Sequence, residues 1–226
     1  MIKLCVFDLD GTLANTAPTI AHFGNLALSA CGCPQLSLEQ YKQIVGNGVF
    51  TLIARMVQAS TGRENKQLEQ RIYELYQREY DADTLYLTQP YEGILSMLVE
   101  LKNRHIRTAV LSNKPHNNTV EVVARLFPNR LIDRAQGQLP EIPIKPDPSA
   151  LLALLAQEGV APQETLYVGD SGVDMETGRN AGIVTVGVDW GFRSREELTA
   201  AGADHIISNP QELVELTQRV DCHSTC

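Results

Sequence analysis

Asp8-Leu9-Asp10-Gly11-Thr12-Leu13, residues 8–13, directly follow an apolar run at residues 2–7 that predicts a buried strand. In an extended segment, residues two apart point to the same side, so Asp8 and Asp10 project together from the carboxyl end of that strand. Gly11 lets the chain turn sharply there, and ligands of open parallel sheets bind at this end of the strands. Two close carboxylates repel each other, so they require a cation or a proton on one of them. The stretch therefore predicts metal-dependent or acid–base chemistry, with two solvated acids at a capped strand end as the alternative.

The first 14 residues and the chain from about residue 91 onward alternate between short apolar runs and helical patterns. The runs with strand character are residues 2–7, 107–111, 166–168, 183–188 and 205–207. Ile94, Met97, Leu98 and Leu101 have the spacing of one helix face. Pro148, after the acidic Asp147, indicates a further helix start. The alternation predicts an α/β fold, with a Rossmann-like parallel sheet covered by helices on both faces.

Residues 15–88 contain no convincing strand and predict a helical insert. Two helix faces are expected, at Phe23, Leu26, Ala27 and Ala30, and at Leu68, Ile72, Leu75 and Tyr76. The insert leaves the predicted sheet near residues 15–18 and returns near residues 88–93, where Pro90 and Gly93 interrupt the pattern. We therefore expect a core of residues 1–14 and 91–226 and a helical cap of residues 15–90, which can move as a unit.

Composition excludes several classes of protein. The chain has 226 residues with 43% hydrophobic and 20% charged content, which is typical of a globular protein. Its formal net charge of −8 argues against nucleic-acid binding. Neither a membrane-spanning run nor a signal peptide is evident, so we expect a cytoplasmic protein without membrane contact. An odd number of cysteines, with Cys31-Gly-Cys33 and Cys222–Cys226 fitting neither common zinc spacing, predicts free thiols.

Further polar clusters accompany the other predicted strands and helix starts. Ser112-Asn113-Lys114 follows one strand, Lys145-Pro146-Asp147 precedes a helix, and residues 169–174, Gly-Asp-Ser-Gly-Val-Asp, follow another strand. Each cluster taken alone can be an ordinary turn or helix cap. As a set they supply a hydroxyl, a lysine and a second acid pair beside Asp8 and Asp10, which are the groups that phosphoryl transfer requires.

In this order along the chain, the clusters resemble the haloacid dehalogenase superfamily, and the resemblance covers essentially the whole chain. Residues 8–13 resemble its first motif, Ser112 its second, Lys145 its third, and Gly169-Asp170 with Asp174 its fourth. The predicted insert resembles the C1 cap of that superfamily. Residues 45–48, Val-Gly-Asn-Gly, are similar to the cap loop of the phosphoglycolate phosphatase-like branch, whereas Asn15-Thr16 departs from the commoner Asp-Ser at the cap hinge.

The resemblance implies a Mg²⁺-dependent phosphatase that acts on a small phosphorylated metabolite, with 2-phosphoglycolate as the leading candidate. Asp8 is implied as the nucleophile that forms an aspartyl-phosphate, Asp10 as the acid and base, and Lys145 as the cation beside them. The metal would be held by Asp8, the backbone carbonyl of Asp10, Asp170 and Asp174, the last directly or from close by. The implied substrate-binding residues are Thr12, Ser112 and Asn113.

Other readings stay open at this point. Gly46-Asn47-Gly48 either presents backbone N–H groups to a substrate carboxylate or is a plain turn, and Arg55 is either a weaker substrate contact or a surface residue. A β-phosphoglucomutase-like phosphosugar mutase, a pyrophosphatase and a nucleotidase share the core motifs. A non-catalytic phosphoryl-binding module is the alternative outside enzymes. Monomer and homodimer are both compatible with the sequence.

Overall fold

A computed structural model describes residues 1–219 of the chain, and Cys222 and Cys226 lie outside this part. Its strands are β1 (Leu4–Phe7), β2 (Ala14–Asn15), β3 (Gln89–Pro90), β4 (Arg107–Pro115), β5 (Arg134–Gln138), β6 (Thr165–Gly169), β7 (Val184–Val188) and β8 (His205–Ile207). Its α-helices are α1 (Ala17–Ala30), α2 (Leu38–Ile44), α3 (Val49–Thr61), α4 (Lys66–Ala82), α5 (Ile94–Asn103), α6 (His116–Leu126), α7 (Ser149–Glu158), α8 (Gly172–Asn180), α9 (Arg195–Ala200) and α10 (Pro210–Arg219).

Within the described residues, six strands form one parallel sheet in the order β5-β4-β1-β6-β7-β8. Every residue of β1 is buried. Its side chains alternate between two apolar clusters: Cys5 and Phe7 pack on one face of the sheet, and Leu4 and Val6 pack on the other. Burial of both faces explains why the central strands are continuously apolar. The predicted α/β fold with a helix-covered parallel sheet is confirmed.

The edge of the sheet differs from the prediction. Strand β5 was not expected, because its sequence Arg-Ala-Gln-Gly-Gln is polar and only one residue of it, Gly137, is fully buried. Strand β4 does not end at Leu111 but continues to Pro115, with a change of register against β5 between these two residues. The Ser112-Asn113-Lys114 cluster therefore belongs to the end of the strand rather than to the turn after it.

Helices α1 to α4 lie between β2 and β3, which pair antiparallel to each other. The chain thus leaves for the helical region and returns from it at neighbouring points, at Ala14–Asn15 and Gln89–Pro90. The helices enclose an apolar cluster of their own. Independent movement of residues 15–90 as a cap stays a prediction.

The expected buried face of α1 is partly wrong. Leu26 is 45% exposed and Ala30 is also exposed, whereas Phe23 and Ala27 are buried. Gly24 of the same helix lies against the Tyr41 ring, where a Cβ atom would come within 2.4 Å of the Tyr41 hydroxyl oxygen. In α4, by contrast, Ile72 and Tyr76 are buried, with Leu68 and Leu75 packed beside them, as expected.

Two further expectations concern the helices of the core and the cysteines. The buried residues of α5 are Ile94, Met97, Leu98 and Leu101, as the spacing predicted. Helix α7 begins at Ser149, whose N–H is accepted by the Asp147 carboxylate. Cys5, Cys31 and Cys33 are free thiols. Among residues 1–219, no helix has both the length and the apolar character required to cross a membrane.

Candidate active site at the carboxyl end of the sheet

The candidate site forms around Asp8, which follows β1 in the middle of the sheet. The Lys145 ammonium donates to Asp8 Oδ1 at 2.8 Å and to Asp174 Oδ1 at 2.7 Å, and only 4% of the Lys145 side chain is exposed. One cation thereby joins Asp8 and Asp174, which lie 137 and 29 positions from Lys145 in the sequence. The fold thus brings together the first, third and fourth sequence clusters.

Asp170 completes a group of three buried acids with Asp8 and Asp174. Carboxylate oxygens from the three residues all lie within 4.8 Å of one another. The Phe192 N–H donates to Asp170 Oδ2 at 2.7 Å and orients this carboxylate. Gly191 permits the close approach, because a Cβ atom there would lie 2.3 Å from Asp170 Cβ.

The electrostatics of the three acids favour a bound cation. Burial raises the pKa of Asp8 from 3.8 to about 7; the Lys145 ammonium opposes this rise, and the charges of Asp174 and Asp10 add to it. Burial also raises the pKa of Asp170 well above its ordinary value, with further contributions from Asp174 and Asp8. Burial alone would lower the pKa of Lys145, but Asp174 and Asp8 outweigh it and hold that pKa well above the ordinary value.

A hard divalent cation fits this donor set. Three carboxylates face a single ammonium, so negative charge is in excess and oxygen is the ligand atom on offer. Mg²⁺ prefers oxygen ligands and is usually bound through a small number of carboxylates. The Asp10 side chain is not one of the three acids, and metal binding through its backbone carbonyl stays a prediction.

Asp10 has a cationic partner that the sequence analysis did not identify as a site residue. The Lys114 ammonium lies 3.1 Å from Asp10 Oδ1 and 3.3 Å from Oδ2, and it lies over the Tyr80 ring at 4.8 Å from the centroid. The side chain of Lys114 is 5% exposed. Residues two apart on an extended strand point to the same side. The position of Lys114 two residues after Ser112 therefore indicates that both side chains face the site.

Two of the expected substrate contacts, Asn113 and Thr12, have other partners in the structure. The Asn113 amide donates to the carbonyls of Lys145 and Gly46 and accepts from the Lys145 N–H, so it ties two segments together. The Thr12 hydroxyl lies 3.5 Å from Asp170 Oδ1, is almost fully buried, and is not among the described residues that line the cavity. Ser112 does line it. Substrate binding by Asn113 is therefore expected only through its backbone.

A cavity of about 50 Å³ lies between these residues and the helical region. Gly46 and Gly48 line it, but Asn47 instead accepts a hydrogen bond from Arg55, which also donates to the Ile44 carbonyl. Arg55 therefore stabilises the loop rather than facing a substrate. The lining also includes Tyr76, Gln77 and Tyr80 of α4 together with Ile20 of α1 and Leu52 of α3.

The segment that follows β7 connects the site to the helical region. The Phe192 ring packs in the apolar cluster of helices α1 to α4. The Arg193 guanidinium donates to the carbonyls of Lys42, Gln43 and Val45 at the end of α2. A cation at the carboxyl end of a helix interacts favourably with the helix dipole. Arg193 was not identified from the sequence, because a loop arginine has no periodicity to reveal its partner.

Comparisons with known proteins agree with this architecture. A haloacid dehalogenase-like hydrolase family model matches residues 5–188. The chain is 30% identical to the N-acetylmuramic acid 6-phosphate phosphatase of Pseudomonas aeruginosa, over 98% of this chain and 97% of that protein. It is 32% identical to a phosphoglycolate phosphatase of Vibrio parahaemolyticus, over 95% of this chain and 96% of that protein.

A solved structure is similar over the same extent. The crystal structure of a protein described as a predicted phosphoglycolate phosphatase from Haemophilus somnus superposes with a TM-score of 0.88, at 27% identity, over 96% of this chain and 98% of that chain. The similarity therefore includes both the sheet and the helical region, and the family prediction made from the sequence is confirmed.

Proposed function

This chain belongs to the haloacid dehalogenase-like hydrolase family and is a phosphatase of the phosphoglycolate phosphatase-like kind, and on that premise we propose that it hydrolyses a small phosphomonoester through an aspartyl-phosphate on Asp8. The observation that supports this most directly is the convergence of Asp8, Lys145, Asp170 and Asp174 at the end of the central strands. Among small phosphomonoesters, 2-phosphoglycolate is the best candidate substrate.

In the proposed first step, an oxygen of Asp8 forms a bond to phosphorus while the ester P–O bond breaks. Lys145 holds the Asp8 carboxylate in place and offsets the charge that gathers on the phosphoryl oxygens. Asp10 gives its proton to the departing alkoxide, which leaves as the alcohol. A divalent cation bound by Asp8, Asp170 and Asp174, with Mg²⁺ as the expected ion, would supply further charge neutralisation.

In the second step, water attacks the phosphorus of the aspartyl-phosphate, and Asp10 takes the proton from that water. The bond between phosphorus and Asp8 breaks, which releases inorganic phosphate and restores both carboxyl groups. Covalent catalysis of this kind divides one difficult displacement into two easier ones. The helical region over the cavity would exclude bulk water and contact the leaving group.

The size of the cavity favours a small substrate. One water needs roughly 10–15 Å³ of such space, so about 50 Å³ holds only a group of a few heavy atoms. A glycolate fits this limit better than a phosphorylated sugar. The N-acetylmuramic acid 6-phosphate phosphatase among the relatives makes that amino-sugar phosphate the second substrate to be compared.

The central test is the turnover of p-nitrophenyl phosphate and 2-phosphoglycolate by the Asp8→Asn variant. We expect hydrolysis to be abolished while the circular dichroism spectrum stays that of the wild type, and Asp83→Asn, at an exposed position, provides the matched control. Full activity of Asp8→Asn would rule out the covalent route. Activity that survives EDTA, with no gain on adding Mg²⁺, would contradict the proposed metal.

Two further measurements separate the alternatives. Asp10→Asn should still release a burst of nitrophenolate from p-nitrophenyl phosphate, because nitrophenolate departs without a proton, but it should lose steady-state turnover of both substrates, because the second step uses Asp10 as a base. With a hexose 1-phosphate, isomerised sugar phosphate without free phosphate would favour the mutase. A screen of phosphorylated metabolites that includes N-acetylmuramic acid 6-phosphate, pyrophosphate and nucleoside monophosphates would rank the remaining substrates by kcat/KM.

A further inference from the structure

Tyr80 lines the cavity, and its hydroxyl has no role in the proposed chemistry. Tyr80 is 3% exposed, and none of the residues in the described part of the chain forms a hydrogen bond with its hydroxyl. Other buried side-chain atoms without partners belong to Thr16, Glu69 and Thr84, and none of these three lines the cavity. A buried hydroxyl without a partner is costly, so this one is best explained by a ligand that accepts its hydrogen bond.

Lys114 lies against the same ring. It is the only cationic side chain among the described residues that line the cavity. Its ammonium has three donors, and the two hydrogen bonds found for it both go to the carboxylate of Asp10. Because Asp10 is the group proposed to protonate the leaving oxygen, Lys114 and Tyr80 lie near the expected position of the leaving group, and Lys145 is not among the described residues that line this cavity.

This side of the cavity combines apolar and aromatic side chains with acidic ones: burial, and after it the charges of Asp10, Asp81 and Glu121, hold the pKa of Tyr80 well above its ordinary value. The rings of Tyr76 and Tyr80 stack with centroids 5.3 Å apart, and Ile20 and Leu52 lie nearby on the wall. In such surroundings an ammonium and an unpaired hydroxyl bind an anion more strongly than they would in water.

We propose that Lys114 and Tyr80 together bind a carboxylate on the leaving group. The carboxylate would accept one hydrogen bond from the ammonium and one from the phenol. The enzyme then selects small phosphoesters whose alcohol carries a carboxylate close to the ester oxygen. This inference rests on the proposed phosphatase function, and it assigns carboxylate recognition to a core strand and to α4 rather than to the loop of Gly46, Asn47 and Gly48.

A pair of phosphonates tests the proposal without requiring turnover. In 3-phosphonopropionate a methylene group replaces the ester oxygen of 2-phosphoglycolate, and propylphosphonate has the same length without the carboxylate. Calorimetric titration of the Mg²⁺-loaded protein should show that 3-phosphonopropionate binds at least about tenfold more tightly. Both Lys114→Met and Tyr80→Phe should reduce this ratio of dissociation constants by roughly tenfold, as expected for a charge-assisted hydrogen bond.

Matched variants show whether the reduced ratio of dissociation constants is specific to Lys114 and Tyr80. Tyr73→Phe removes the same atom from the same helix at a half-buried position that does not line this cavity, and Lys66→Met removes an ammonium from the start of that helix. Both should retain the wild-type ratio. Lys114→Arg keeps the charge and should retain more of the ratio than Lys114→Met.

Different results would refute the carboxylate site and the proposed phosphatase function. A wild-type ratio near one, or a ratio unchanged in both Lys114→Met and Tyr80→Phe, would overturn the carboxylate site even if the protein hydrolyses phosphomonoesters. If the wild-type protein hydrolyses no phosphomonoester, the proposed function itself is wrong. Because Tyr80→Phe deletes a single oxygen, a melting curve close to that of the wild type will show that its result does not reflect unfolding.

Discussion

Replacing the proposed nucleophile should stabilise the metal-free protein at alkaline pH. Burial raises the pKa of Asp8 from 3.8 to about 7, against the opposing charge of Lys145. The folded protein therefore holds the Asp8 carboxylate in its charged form at pH 8 at a cost in free energy. Asp8→Asn removes this charge and keeps an oxygen that can still accept a hydrogen bond from Lys145. We expect the free energy of unfolding of the variant in EDTA to exceed that of the wild type at pH 8.

The size of the effect follows from the pKa. A rise from 3.8 to about 7 corresponds to about 4 kcal/mol of preference for the protonated form. Below pH 4, Asp8 carries a proton in both the folded and the unfolded chain, and the difference between variant and wild type is small. Between pH 4 and 7 the unfolded chain has lost this proton and the folded chain has kept it, so the stability of the wild type falls by about 1.4 kcal/mol per pH unit.

The assay is urea unfolding of both proteins in EDTA between pH 4.5 and pH 8.5. The difference in free energy of unfolding should grow with pH and level off above pH 7. Asp83→Asn, which is exposed, should remain within about 0.5 kcal/mol of the wild type. Mg²⁺ at a hundred times its dissociation constant should return about 2.7 kcal/mol to the wild type and much less to Asp8→Asn. If the variant is less stable than the wild type in EDTA at pH 8, or the difference does not depend on pH, the electrostatic argument is wrong.

Other substitutions probe the surroundings of this carboxylate. Lys145→Met leaves three buried acids without their ammonium and should cost roughly 3–5 kcal/mol of unfolding free energy in EDTA at pH 8; urea unfolding at pH 5 should show a smaller loss, because the acids can then take up protons. Arg193→Met removes the donors to the end of α2 and should raise KM about tenfold and speed amide hydrogen exchange in that helix. Gly191→Ala forces a Cβ atom toward Asp170 and should raise the Mg²⁺ concentration for half-maximal activity roughly 10–100-fold, whereas Gly172→Ala, with its nearest neighbour 3.4 Å away, should not.

The part of the site that lies within one segment of sequence was predictable. Asp8 and Asp10 were found because an apolar strand and the alternation of its side chains determine where both carboxylates point. Asp170 and Asp174 belong to a single strand-to-helix connection and were found in the same way. The contact of Asp174 with the ammonium that also binds Asp8 depends on the sheet order, which places β6 beside β1, and local sequence patterns do not determine that order.

The elements that were missed lack a local signal. Strand β5 is a polar edge strand, so neither face of it is apolar enough to produce an alternating pattern. Tyr76 and Tyr80 are four residues apart on α4 and share a face. From the sequence, this spacing predicts a face that packs against other helices. The same spacing cannot show that this face borders a cavity, because that depends on how the helices lie over the sheet. Lys114 was detectable as polar but not as the partner of Asp10, 104 residues away.

The segment formed by residues 189–193 contacts both the helical region and the buried acids. Phe192 donates its N–H to Asp170, its ring packs among the helices of the cap, and the next residue holds the end of α2. A displacement of the cap that carried the Phe192 ring with it would withdraw this N–H from the Asp170 carboxylate. That hydrogen bond opposes the rise in the pKa of Asp170, so its loss would make the charged form of the carboxylate harder to maintain. We therefore expect cation binding and the position of the helical region to depend on the same three consecutive residues, Gly191, Phe192 and Arg193.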